Sequence, residues 1–152
     1  MSDQLLNDAS TATFLFEVDG LEIGNFMEVS GLEVTIEAET ITEGGQNSFA
    51  HKVPGRMSWP NITLKRGATR TNNLLKWLNE SSGETFSANG NKVARKSAAI
   101  TLLDRTGARV TSWTFIDVLP VRWSGPSFAA SSGEAPTEQL EIAHHGFRSS
   151  EH

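Results

Sequence analysis

From Gly31 to Thr40 the chain reads GLEVTIEAET, with Leu32, Val34, Ile36 and Ala38 at alternate positions and Glu33, Thr35, Glu37 and Glu39 between them. A period of two predicts a strand with one dry face and one acidic face. The same alternation predicts strands over Phe14–Val18, Asn61–Lys65, Ser97–Asp104 and Glu138–Ala143. Asp19-Gly20 and Thr106-Gly107 mark tight reversals between strands. Over Val110–Leu119 the apolar positions change parity, from Trp113 and Phe115 to Ile116 and Val118. A bulge explains that change, and so does burial on both faces. Only TNNLLKWLN has helical spacing: Leu74, Leu75, Trp77 and Leu78 form one stripe after a candidate cap at Thr71, and Leu74, Trp77 and Leu78 are expected to pack on a sheet. About seven strands and one helix with short connections predict a mainly β fold, a β-sandwich or partly closed barrel.

One stretch breaks the pattern. Glu43 to Trp59 is polar and punctuated by glycine and proline, yet it carries Phe49, Val53, Met57 and Trp59. A long irregular segment in a small domain is functional or disordered, and these apolar residues favour ordering by contact. The simplest partner is another copy of the chain. The expected organisation is a polar N-terminal arm over 1–13, a β domain over 14–147 containing an extended inter-subunit loop over 43–59, and a short tail over 148–152.

Composition narrows the function. The 152 residues are 38% hydrophobic and 20% charged, values near the globular norm. A net charge of −5 lacks the basic excess that phosphate neutralisation requires, which argues against a nucleic-acid binder. No apolar run reaches the ~18 residues of a membrane span. The first residues lack the basic and apolar regions of a secretory signal, which is compatible with synthesis in the cytoplasm. The absence of cysteine removes disulfides, thiolate metal sites and cysteine nucleophiles.

Candidate chemistry is sparse. The sequence holds no nucleophile elbow, phosphate loop, zinc-helix motif or dinucleotide fingerprint. His144 and His145 are adjacent and would point to opposite faces of a strand, a poor metal site. Glu33, Glu37 and Glu39 lie along one strand face, without the asymmetric environments that a glycosidase pair needs. No catalytic residue, metal or cofactor is therefore assigned. Trp77 and Trp113 suit a core. Trp59 and Trp123 lie near strand ends, where aromatic residues serve interfaces, and a carbohydrate-binding β-sandwich using these two is the alternative from another functional class.

A set of short motifs in fixed order adds to this. Phe16-x-Val-Asp-Gly20, Gly24-Asn-Phe26, Glu28-Val-Ser-Gly-Leu32, Glu43-Gly-Gly-x-Asn47, Pro54-Gly55, Asn61-Ile-Thr-Leu-Lys-Arg-Gly67, Leu103-Asp-x-x-Gly107, Trp113-x-Phe115, Pro120-Val-Arg-Trp123 and Leu140-Glu-Ile-Ala-His144 together resemble the inner-tube proteins of contractile phage tails and contractile injection systems. The resemblance covers roughly residues 14 to 147. It implies two packed antiparallel sheets forming a barrel-like sandwich with one flanking helix. It further implies a structural subunit whose hexameric rings stack into a hollow tube, driven through a target envelope by a contracting sheath. The implied partners are further copies of the chain, sheath protein, baseplate or spike proteins, tube-terminating proteins, and a protein effector or DNA in the lumen. A tube-initiating baseplate protein is the alternative within the family. On this resemblance Glu43, Gly44, Gly45, Asn47, Phe49, Pro54, Gly55 and Trp59 mediate ring stacking or inter-subunit contact. Glu33, Thr35, Glu37, Glu39 and Lys65 face the lumen, and Leu32, Val34, Ile36 and Ala38 pack into the subunit core. Where the family pattern suggests His-Glu-Gly-Leu, this chain has His144-His-Gly-Phe147.

Overall fold

The computed structural model describes residues 12–41, 51–67, 73–81, 96–125 and 136–150. In chain order the elements are β1 (Thr13–Val18), β2 (Leu21–Phe26), β3 (Glu28–Ser30), β4 (Thr35–Ile41), β5 (His51–Ser58), β6 (Ile62–Gly67), α1 (Asn73–Glu80), β7 (Lys96–Leu103), β8 (Arg109–Ser124), β9 (Thr137–Ala143) and β10 (Phe147–Ser150). All pairings are antiparallel. Eight strands form one sheet in the order β2-β1-β7-β8-β9-β6-β3, with β10 beside β8, while β4 and β5 form a separate two-stranded ribbon.

Local chemistry sets the turns. Asp19 and Gly20 both take positive φ, 49° and 78°, which is the geometry of a two-residue hairpin turn matched to strand twist. Between β7 and β8, Asp104 Oδ1 accepts hydrogen bonds from the Thr106 and Ala108 backbone N–H groups and the Thr106 hydroxyl, and Gly107 supplies the left-handed residue. The Thr106 hydroxyl, followed by these backbone donors, holds the Asp104 carboxyl below its usual value. The Leu103-Asp-x-x-Gly107 motif is therefore a turn motif.

Strand β8 organises the rest. Its first half pairs with β7 and β10, its second half with β9. Between them Lys96 faces Val118 and Ala98 faces Phe115, so β8 holds one extra residue there. Asp117, at φ 53°, lies within the irregularity. This settles the parity change as a bulge: Phe115 and Val118 both point inward, whereas Ile116 is exposed. The sheet folds over at this point into two wings, which enclose a core of Phe16, Ile23, Phe26, Ile62, Leu64, Ile100, Phe115, Leu140 and Ile142.

The expected barrel does not form. The terminal strands β2 and β3 are not laddered to each other, so neither sheet closes. The reason is local. Met27 alone separates β2 from β3, and its N–H bonds to the Lys65 carbonyl, which carries the chain across from one wing to the other. Among the described residues the correct description is an open, folded antiparallel sheet with a detached ribbon and one helix. Helix α1 covers the sheet through Leu74 and Trp77, both buried, with Leu78 packed against the same core. The Trp77 ring lies 5.7 Å from that of Phe16.

A buried ion pair lies within the β6–β9 wing. Arg66 on β6 and Glu138 on β9 stand opposite each other in register, and Arg66 Nε donates to Glu138 Oε1. The guanidinium also reaches the other wing, where its carbon lies 4.9 Å from the centre of the Phe26 ring and its Nη1 lies 3.5 Å from the Ile23 carbonyl oxygen.

Gly31, which ends the β3 segment at φ +93°, is a point of close approach, because a Cβ there would collide with the Asn61 carbonyl oxygen. Gly31→Ala should destabilise the subunit by roughly 2 kcal/mol or more, and thermal unfolding should shift down by about 4–8 °C. An unchanged melting temperature would show that the β3–β4 connection adjusts freely.

Candidate assembly surface

The ribbon is the part of the fold that the subunit leaves incomplete. Strands β4 and β5 pair with each other and with no strand of the larger sheet. Every residue of β4 is exposed. Thr35, Glu37 and Glu39 share one face, and Ile36 and Ala38 lie on the other, where Ile36 stands opposite Met57. Val34, Ile36 and Met57 are 46%, 51% and 55% exposed. This corrects the expectation that Val34, Ile36 and Ala38 enter the subunit core. Of that row, only Leu32 packs against it. The alternation is a true strand pattern, but its dry face has no cover within the described residues.

The apolar face continues into a groove of about 300 Å³ between the ribbon and the body, walled by Val34, Met57, Trp59, Ile116 and Phe147, with His145 and Arg148 beside them. Trp59 anchors the ribbon at this end. Its Nε1 donates to the His144 carbonyl at 2.7 Å, and its ring stacks on the His144 imidazole with 5.9 Å between centres.

Within the expected loop over 43–59, the described residues His51–Ser58 form a strand. Pro54 and Gly55 lie within that strand rather than in a turn. Pro54 stands opposite Ala38, where the register shifts by one residue, a setting that accepts a residue without an N–H. Gly55 passes beside Glu37 and Glu39, where a Cβ would come within 2.9 Å of the Glu39 side chain. Glu43, Gly44, Gly45, Asn47 and Phe49 lie outside the described residues. Glu33, ahead of β4, is exposed, and its N–H bonds to the Gly31 carbonyl. Lys65 is not beside the β4 acids in the sheet: it lies on β6 opposite Glu28, with 4.0 Å between the charged groups. Trp123 is 36% exposed on β8 and does not line the groove that Trp59 walls.

Sequence reasoning missed two groups. Arg66 reads as the end of a strand, and nothing in its neighbourhood announces a partner 72 residues later. His144 reads as half of a poor metal pair, whereas its ring is buried among Trp59, Phe115 and Phe147. Among the described residues no cluster of three or more His, Asp or Glu residues has metal-binding geometry, and no helix is long and apolar enough to cross a membrane.

The tube-terminator complex of an extracellular contractile injection system, PVC, in its extended state contains a chain that superposes with a TM-score of 0.72 at 25% identity, over 91% of this chain and 93% of that one. A chain in the tube-terminating cap of the anti-feeding prophage gives 0.71 at 25% identity, covering 90% and 87%. Hcp1 from Flavobacterium johnsoniae shares the fold at a TM-score of 0.50 and 16% identity, covering 90% and 94%. No curated protein matches the sequence. The family model for T4-like virus tail tube protein gp19 matches residues 10–148. Nearly the whole chain is thereby accounted for, and it belongs to the T4-like tail tube family: it is a structural tube subunit of a contractile tail or injection system and not an enzyme.

Proposed function

We propose that six copies of this chain form a ring through the β4–β5 ribbon, and that rings stack into a hollow inner tube propelled by sheath contraction. The observation that carries this reading is the ribbon itself: a two-stranded element with apolar residues on one face, acids on the other and, among the described residues, no third strand. An isolated hairpin of this kind is marginal in water, and further strands with a covered apolar face stabilise it. A neighbouring copy supplies both. Burying a side chain such as Val34, Ile36 or Met57 contributes about 1.5–3 kcal/mol each, multiplied around a ring.

In this arrangement Glu33, Thr35, Glu37 and Glu39 face the channel and give its wall a repeated negative charge, which disfavours adhesion of acidic cargo. The segment from Glu43 through Pro54, Gly55 and Trp59 belongs to the inter-subunit contact. Sheath protein surrounds the tube, baseplate or spike and terminating proteins cap its ends, and a protein effector or DNA occupies the lumen. The solved relatives from a tube-terminator complex and a cap support such end partners. Assembly takes place in the bacterial cytoplasm.

Negative-stain microscopy of the purified chain tests the proposal. Rings or tubes with six-fold end views are expected. A monodisperse 16.5 kDa species at high concentration would overturn it.

A further inference from the structure

We propose that His144 is an acid-sensitive latch: its neutral ring clamps Trp59, and charging that ring frees the β4–β5 ribbon from the body of the subunit. The consequence for assembly rests on the reading of the ribbon given above. The latch itself rests on the following geometry.

The turn that follows β9 is fixed to β8. His145 N–H donates to the Ile116 carbonyl at 2.8 Å, and Ile116 N–H donates to the Gly146 carbonyl at 3.0 Å. Onto this fixed turn the ribbon docks through the residue just beyond β5. Trp59 stacks on the His144 ring with 20° between planes, stands where a Cβ on Gly146 would meet it at 3.8 Å, and bonds to the His144 carbonyl. Among the described residues β4 and β5 have no ladder to the main sheet, so this clamp holds the ribbon at its β5 end.

The clamp accepts only a neutral ring. His144 is 5% exposed. Its Nδ1 accepts the Gly146 N–H at 3.1 Å, so the ring proton must sit on Nε2, which is buried and makes no hydrogen bond. A second proton would occupy Nδ1 and face the Gly146 donor, converting an attraction into a repulsion. Among the described residues the nearby carboxylates are engaged elsewhere. On β8, Asp117 is engaged with His145 at 3.3 Å; on β9, Glu141 accepts a hydrogen bond from Asn61. His145, the next residue, opposes a further positive charge on the ring, and Arg148 on β10 lines the adjoining groove. Burial, reinforced by His145, outweighs the opposing Pro60 backbone and holds the His144 imidazole below its usual value of 6.5. The docked ribbon is thus at full strength above about pH 6.5. It weakens as pH falls toward the docked ring's own value and levels off below it, by up to ~10-fold in the opening equilibrium for each pH unit separating the two.

Hydrogen–deuterium exchange of the full chain between pH 7.5 and 5, corrected for intrinsic exchange, reads ribbon opening directly, and sedimentation in the same buffers reads assembly. We expect exchange across residues 51–58 to rise several-fold below pH 6.5 and tubes to shorten or dissociate. His144→Asn keeps an acceptor near the Nδ1 position but does not titrate, and should hold exchange flat. His145→Asn should retain the wild-type response. Flat wild-type exchange overturns the latch, a result that needs no variant to fold; so does a His144→Asn protein that still opens in acid. Acid opening in a chain that never assembles would instead overturn the assembly reading and leave the latch in place.

Discussion

Replacing Ile36 with Asp should yield a folded subunit that no longer builds tubes. In the single copy Ile36 is half exposed on a strand whose every position faces solvent. The substitution therefore changes subunit stability by no more than about 0.5 kcal/mol, the usual range for an open surface site. In the proposed ring the same position is covered, and the variant would lose the ~1.5–3 kcal/mol of apolar burial and add the desolvation of a carboxylate beside Glu37. At 1.4 kcal/mol per tenfold, each contact weakens by at least ~10–100-fold, and a ring multiplies that loss. Circular dichroism and thermal unfolding should match the wild type, while sedimentation should find the monomer. Tubes of normal length from Ile36→Asp would show that the apolar face of the ribbon is not the mating surface. Glu37→Gln and Glu39→Gln, on the opposite face, should leave assembly intact and alter only what the channel retains.

The largest effect on the subunit itself should come from Glu138→Ala. Arg66 is 4% exposed, and Glu138 is the only carboxylate bonded to it among the described residues. Removing that carboxylate strands a buried guanidinium, a change that costs about 3–5 kcal/mol. Against a typical domain stability of ~5–15 kcal/mol this is a large fraction. Denaturant unfolding should show the midpoint moving sharply down. The pair need not be stabilising in itself: Arg66→Met with Glu138→Leu should recover most of the loss, because two well-packed apolar side chains avoid both desolvation terms. Equal destabilisation of the single and double variants would mean that Arg66 matters through its contacts with Phe26 and Ile23 rather than through its charge.

These results bear on how far the sequence alone reaches. Strong periodicity located the strands around Phe16, Leu64, Ile100 and Leu140 and the helix around Trp77, because burial on one face imprints itself on every second or every third-to-fourth residue. It failed where that imprint is weak. HKVPGRMS contains Pro54 and Gly55 and has little core to face, so β5 resembled a loop; its order comes from pairing with β4. The four-residue β10, FRSS, carries too few apolar positions to signal anything. Closure into a barrel is invisible to periodicity, since it depends on whether the two end strands meet. The functional surface was half legible. The Leu32–Ala38 row revealed a strand with a dry face, yet burial by the subunit and burial by a neighbour leave the same pattern. His144 and Trp59 sit 85 positions apart, and only the fold brings them together.

The kink in β8 has a mechanical meaning. A single backbone of 16 residues runs through both halves of the molecule, so they are joined by covalent bonds as well as by packing. A subunit pushed lengthwise against a barrier can therefore pass load along a continuous peptide, and pulling the halves apart would demand shearing several hydrogen bonds at once on each flank of that strand. Toughness of this kind suits an object that is driven rather than one that diffuses.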